Sequence, residues 1–344
     1  MRAVVIHAAQ DLRIEEHSEV PAPGGGEVCI NMAVGGICGS DLHYYSHGGF
    51  GAVRLRQPMV LGHEVSGHIV AVGDGVTALA AGQLVAISPS RPCARCHYCL
   101  NGQPNHCENM RFYGSAMPYP HIQGAFSQQL IVDASQCVPA NGLSPEVAAM
   151  AEPLAVCLHA VRQAGDLVGK TVLVTGCGPI GALTILAARR AGAAKIVVTD
   201  LSDYTLSIAK KCGADIVLNL ASDSGSLSSF TLGKGQIDVQ FECSGAPAAL
   251  ASGIAALRPK GTLVQVGIGG HMTIPMQTVT AKELTLRGSF RFHSEFAIAV
   301  EMMQKGLIDV TPLMTHKFSL DNAVDAFKMA KNRSQAMKVQ IDLS

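Results

Sequence analysis

Cys93, Cys96, Cys99 and Cys107 are the densest group of metal-seeking residues in the chain. Four thiolates at such short spacing can close tetrahedrally around one ion. A closed four-sulfur set is structural, because it leaves no coordination position for chemistry. A four-cysteine iron–sulfur cluster uses similar spacings and is the competing reading. Arg91, Arg95, Asn101, Asn105 and Glu108 surround the quartet, too polar a setting for four unrelated core thiols. Zinc is the expected ion.

A second set is open. Cys38 follows the glycine turn Gly35-Gly36-Ile37, His63 and Glu64 stand side by side after Gly62, and Glu152 precedes Pro153. A catalytic zinc needs three protein ligands and one position for water or substrate. Cys38, His63 and one glutamate, Glu64 or Glu152, supply them. A thiolate and a carboxylate also neutralise the dication. Each residue alone is a weak signal, since a lone histidine is more often a surface or core residue. Their weight comes from the motif they share the chain with.

That motif is Gly176-Cys-Gly178-Pro179-Ile180-Gly181, which follows the apolar run Thr171–Thr175 and opens an apolar stretch to Arg190. In a dinucleotide site the first glycine makes the tight turn and the second lets the backbone approach a pyrophosphate. The third lets helix and strand pack closely. The helix N-terminus offers free N–H groups to the phosphates. Asp200 ends the next apolar strand about 20 residues on, the distance at which a carboxylate meets the adenosine ribose. The residues after it, Leu201, Ser202 and Asp203, include no arginine to receive a 2′-phosphate, so NAD is expected over NADP. Val266 and Gly267, at the end of a later strand, complete the expected cofactor wall.

These residues need elements to hold them. Up to about residue 150 the chain reads as short β-branched runs between glycine and proline turns, with strands at Val28–Val34, His68–Val72 and Leu84–Ile87. Ser144-Pro145 then signals a helix start. Strands at 171–175, 195–199, 215–218, 237–242, 261–267 and 284–288 alternate from there with helices, which predicts a doubly wound parallel sheet. Helices over 294–305 and 321–331 and a strand over 338–342 follow, and 221–235 reads as a surface stretch. The fold class is α/β: a Rossmann sheet plus a β-rich domain.

The 344 residues suit two domains, and 26 basic balance 26 acidic residues. No basic run interleaves with aromatics, so nucleic acid is not the expected partner. No run of about 18 apolar residues predicts a membrane span. The N-terminus lacks a signal-peptide pattern, and the expected compartment is the cytoplasm. Eleven cysteines, an odd count, do not suggest a disulfide framework. Cys29, Cys137, Cys157, Cys177, Cys212 and Cys243 read as small buried hydrophobes.

The run Gly62-His63-Glu64-x-x-Gly67-x5-Gly73-x-x-Val76 resembles the signature of zinc-dependent medium-chain alcohol and polyol dehydrogenases. Cys38 and the quartet fall where that family carries its catalytic thiolate and structural zinc lobe, and the resemblance covers essentially the whole chain. Glu152 stands where classical alcohol dehydrogenases have a second cysteine, which points to the polyol branch. Met110–Met117, Pro120-His121 and Arg287–Phe292 resemble the branch that interconverts L-idonate and 5-keto-D-gluconate. The resemblance implies a GroES-like catalytic domain over 1–154, a Rossmann domain over 155–290 and a C-terminal return over 291–344. It implies NAD, two zinc ions per chain and a homo-oligomer, dimer or tetramer.

It further implies hydride transfer between NAD and a secondary hydroxyl, with Ser40 and His43 relaying the proton outward. Ser40 and Asp41 read equally as caps of a helix starting at Leu42, and the two roles are compatible. The expected substrate is a sugar acid. Arg291 is the candidate carboxylate clamp, with Tyr44, Phe112 and His121 as walls. A surface role for Arg291 is the plainer alternative. Rival readings are a sorbitol- or xylitol-type polyol dehydrogenase, a threonine dehydrogenase, and a non-catalytic cofactor-binding relative. The presence of every catalytic ligand argues against the last.

Overall fold

A computed structural model describes residues 1–344. Two sheets organise the chain. One has the spatial order Cys137–Pro139, Leu84–Ile87, Glu64–Val72, Glu27–Gly36, Lys338–Asp342 and Met314–Ser319, with Gln129–Asp133 also paired to Glu27–Gly36. Its pairings are antiparallel except between Lys338–Asp342 and Met314–Ser319, which run parallel. Gly36 pairs with Glu64 on one side and with Gln340 on the other. The strand leading to Cys38, the strand opening at Glu64 and the strand opening at Lys338 therefore converge at one end.

The second sheet is parallel, in the order Ile216–Asn219, Lys195–Asp200, Thr171–Thr175, Ile237–Glu242, Leu257–Gln265 and Thr285–Gly288. In chain order this is third, second, first, fourth, fifth, sixth, the doubly wound arrangement expected from the alternation. Its central strands are buried on both faces, so they read as apolar runs and not as alternation. The strand expected from Gly261 begins earlier. Ile237 pairs with Leu257 and Val239 with Thr262, so Arg258–Gly261 bulge out between the two pairs.

Ser144 caps a short helix, Pro145–Ala148, through the Val147 N–H, and the helix Ala151–Ala164 follows. That helix spans the boundary expected at residue 154. Beyond residue 291 the chain stays with the parallel sheet: Phe292, Phe296, Ala299, Val300 and Leu313 share one buried cluster with Val172, Val174 and Ile196. The return to the first sheet starts at the Met314–Ser319 strand, later than expected. Leu84 and Ala86 of the first sheet join the same cluster, so a continuous core ties the two halves together.

Candidate active site

Cys38 sits at the N-cap of the helix Gly39–His47, and its N–H donates to Asp41 Oδ2 at 3.0 Å. Helix start and strand end thus fix where the thiol points. Gly36 is required for the neighbour: a Cβ there would lie 2.4 Å from Glu64 Oε2. The ligand atoms of Cys38, His63 and Glu64 all lie within 4.8 Å of one another. His63 and Glu64 are buried, and so are Asp41 and Glu152. Glu152, on the first turn of its helix, is outside this trio. The structure therefore groups Glu64, of the two glutamates, with the thiol and imidazole.

The thiol and carboxylate of the trio repel one another when both are charged. Burial pushes the Cys38 thiol up to about 12, and the Glu64 carboxylate adds to the rise. Burial likewise pushes the Glu152 carboxyl up to about 8, against the pull of His63. His63 Nδ1 is buried and makes no hydrogen bond; Asp41 Oδ1 is its nearest carboxylate, at 3.8 Å. Buried polar atoms are normally satisfied. A thiol, an imidazole and a carboxylate within reach of one ion, with a carboxylate behind the imidazole, fit zinc with an open position.

The quartet closes separately. Its four sulfurs lie within 4.8 Å of one another. Cys107 Sγ accepts the Cys93 N–H at 3.2 Å and the Asn109 N–H at 3.3 Å. The Arg95 backbone N–H draws the Cys93 thiol down to about 6. Burial pushes the Cys99 thiol the other way, up to about 12, but the backbone donors at Cys93 and Cys107 suit thiolate binding of zinc.

The dinucleotide turn has the geometry its glycines predict. Gly176 has φ +83°, a Cβ at Gly178 would meet nothing within 4 Å, and one at Gly181 would lie 2.0 Å from the Gly176 carbonyl oxygen. Pro179 and Ile180 open the helix Pro179–Arg190. Asp200 Oδ2 accepts the Cys177 N–H at 2.6 Å, tying that carboxylate to the turn itself. Val266 and Gly267 both donate backbone N–H groups to the Glu242 carbonyl oxygen, at 2.9 and 2.8 Å.

On the substrate side, the Arg291 guanidinium lies 4.6 Å from the Phe112 ring centre and 4.8 Å from that of Phe290. Phe112 is in turn 5.5 Å from the His63 ring. Arg291 has φ +56°, a strained conformation for a side-chain-bearing residue. Burial lowers its proton affinity, while Glu152 and Cys107 pull the other way. Tyr44 is buried, with its hydroxyl taken by the Ala116 N–H at 2.9 Å. His121 is occupied too: Nε2 accepts the Arg56 N–H at 2.8 Å and Nδ1 pairs with the Pro118 carbonyl at 2.9 Å. Neither of its nitrogens remains for a ligand. Ser40 and His43 share one turn of their helix with no hydrogen bond between them, and His43 faces solvent.

Residues 24–142 match the alcohol dehydrogenase GroES-like domain, and residues 179–305 match the zinc-binding dehydrogenase model. The chain is 45% identical over 314 residues to L-idonate 5-dehydrogenase (NAD(P)(+)) of Escherichia coli (strain K12), covering 91% of this chain and 90% of that protein. It belongs to the zinc-dependent medium-chain dehydrogenases. Sorbitol dehydrogenase of Bos taurus is 38% identical over 351 residues, covering 98% of this chain and 95% of that one. The crystal structure of L-idonate 5-dehydrogenase from Escherichia coli str. K-12 substr. MG1655 superposes with a TM-score of 0.95 at 41% identity, covering 99% and 97% of the two chains.

Two residues of this dehydrogenase escaped the sequence reading. Lys338 is 2% exposed, and its Nζ donates to Glu64 Oε1 at 2.8 Å, Glu64 Oε2 at 2.6 Å and the Ile37 carbonyl at 3.2 Å. Burial alone would lower its proton affinity; Glu64 and Cys38 reverse that, and the net shift is upward. Arg333 is the other. Its carbonyl accepts from Ser202 Oγ at 3.4 Å, and burial lowers its proton affinity while Asp200 and Cys38 pull the other way. The residues that follow Asp200 include no arginine, but the C-terminal part of the chain brings Arg333 beside Ser202.

Proposed function

We propose that this zinc-dependent dehydrogenase exchanges hydride between NAD and a secondary hydroxyl of a sugar acid, with L-idonate and 5-keto-D-gluconate as the reacting pair. The observation that carries the acid substrate is Arg291. An arginine fixed between two aromatic faces, one of which packs on His63, offers a forked donor to a carboxylate beside the reacting carbon. The 45% identity to a protein named for that activity supports the same reading.

Cys38, His63 and Glu64 would hold the catalytic zinc, with Asp41 orienting the imidazole and Glu152 facing the open position. When bound, zinc acidifies a hydroxyl and NAD accepts the hydride. The chain's own tasks are the rest. Phe112 and Arg291 fix the substrate's orientation, with Tyr44, edge-on to Phe50, as a further wall. Ser40 and His43 carry the proton to solvent. Gly176, Gly178 and Gly181 receive the pyrophosphate, and Asp200 takes the ribose hydroxyls. Cys93, Cys96, Cys99 and Cys107 would hold the second, structural zinc.

A coupled assay over L-idonate, sorbitol, xylitol and L-threonine, with NAD and NADP in parallel, tests the proposal. L-idonate with NAD should have the highest kcat/KM. A preference for sorbitol would move the reading to a polyol dehydrogenase, the function named for relatives at 38% identity. Equal use of NADP would remove the claim on Asp200 and point to Arg333. We also propose a cytoplasmic homo-oligomer; light scattering at assay concentration tests the assembly. No helix is long and apolar enough to cross a membrane.

A further inference from the structure

The quartet lobe is usually read as a staple remote from the chemistry, yet both walls of the arginine sandwich trace back to it. Its neck is a two-stranded ribbon, Ser90–Arg91 against Arg111–Phe112, with Phe112 paired to Ser90. The ribbon closes the loop that carries all four cysteines and sets Phe112 against His63. The body of the lobe reaches the other wall. Asn105, 9% exposed and two residues before Cys107, donates from Nδ2 to the Phe290 carbonyl at 3.2 Å. The His106 ring stacks on Phe290 at 6.0 Å and 28°. The peptide that Asn105 holds is the one entering Arg291, whose φ of +56° needs outside support.

We infer that the structural zinc lobe positions the substrate arginine: Asn105 and His106 hold Phe290, and through it Arg291, over the metal trio. They are positioning residues, since neither is placed on substrate or cofactor. The consequence for substrate choice rests on the acid-clamp reading of Arg291; the mechanical link does not. The lobe would then set specificity as well as stability.

The test uses the full zinc-loaded chain with Asn105→Ala, Arg291→Gln and the double variant. Two measurements are made: hydrogen exchange of the 288–293 backbone, and the ratio of kcat/KM for L-idonate to that for sorbitol. Asn105→Ala should keep two zincs per chain, speed exchange at 288–293, and lower the ratio by about tenfold, the range of outer-shell supports. Adding it to Arg291→Gln should change the ratio no further. His106→Ala should act in the same direction more weakly. Unchanged exchange at 288–293 in a zinc-replete Asn105→Ala protein overturns the lobe's role. So does a drop in the ratio that is equally large with and without Arg291. If Arg291→Gln alone leaves the ratio unchanged, the acid clamp falls instead, and the exchange result still decides the mechanical link.

Discussion

The two metal clusters of this chain are built in opposite ways. The quartet lies in one short stretch of sequence, and Cys107 Sγ already accepts two backbone N–H groups. The Arg95 backbone N–H draws Cys93 down to about 6, while burial pushes Cys99 up to about 12. The cleft trio is drawn from separate strands, is largely buried, and has Cys38 pushed up to about 12. Burial resists ionisation of a thiol in both regions, Cys99 in the quartet and Cys38 in the cleft, but only the quartet also holds thiols drawn down by backbone N–H groups. A closed set can be assembled locally because it only has to hold. An open set must sit where substrate, cofactor and ion meet, and only a converging fold can do that.

The largest effects should separate the two. Cys38→Ser should lose one zinc and about 10³-fold or more in kcat, since a metal contributes several kcal/mol to such a transition state. Its fold should stay intact by circular dichroism. Cys96→Ser should also lose one zinc, but show it first as a thermal midpoint lowered by roughly 5–10 °C. Metal analysis beside both assays checks this. A stable, fully metallated and active Cys38→Ser would dissolve the distinction.

The same contrast explains what the sequence made legible. The quartet, the dinucleotide turn and the alternation of strands and helices are local patterns, and each appears where its spacing placed it. Lys338 carries no such signal. It opens a strand near the C-terminus, and only the pairing of Gln340 with Gly36 brings it to Glu64. Arg333 meets Ser202, and Asn105 reaches Phe290, also across long separations. Glu64 and Glu152 were equivalent as letters; strand register separates them. Tyr44 and His121 read as wall residues; that the Ala116 and Arg56 N–H groups occupy their polar atoms follows only from contacts distant in sequence.

Lys338 gives the next test. Replacing it with Met leaves Glu64 a buried carboxylate without its cation, a loss of about 3–5 kcal/mol when nothing compensates. A zinc ion beside Glu64 would compensate. Lys338→Met should therefore destabilise the chelator-treated protein far more than the zinc-loaded one, and Lys338→Arg should restore part of the difference. Thermal melts with and without chelator read it directly. Equal losses in both states would mean that Glu64 does not face the metal. The quartet has no counterpart to this lysine.

Asp41→Asn comes third. The carboxylate stands 3.8 Å behind His63 and also accepts the Cys38 N–H, so the helix start should survive the change while the charge is lost. Zinc affinity in the cleft or kcat should fall by about 10–100-fold, as for other partners of metal-bound imidazoles. Competition with a chelator should show the quartet's ion unaffected. Loss of both ions would point to a general loosening of the fold.

The smallest effect belongs to His43. An open site has to pass a proton to solvent, and a closed one does not. His43 is exposed, and burial of its ring followed by the neighbouring His47 lowers its proton affinity, so near neutral pH it is free to accept. No hydrogen bond joins it to Ser40, so in the proposed relay water would bridge that gap. Water and buffer can then stand in for most of its function. His43→Ala should lower kcat by less than about tenfold near pH 7, at the weak end of general-base effects. The deficit should shrink as pH rises and solvent base becomes abundant, and added imidazole should restore much of it. A loss beyond about 100-fold, or no response to buffer base, would show that His43 holds the cleft together and does not drain it.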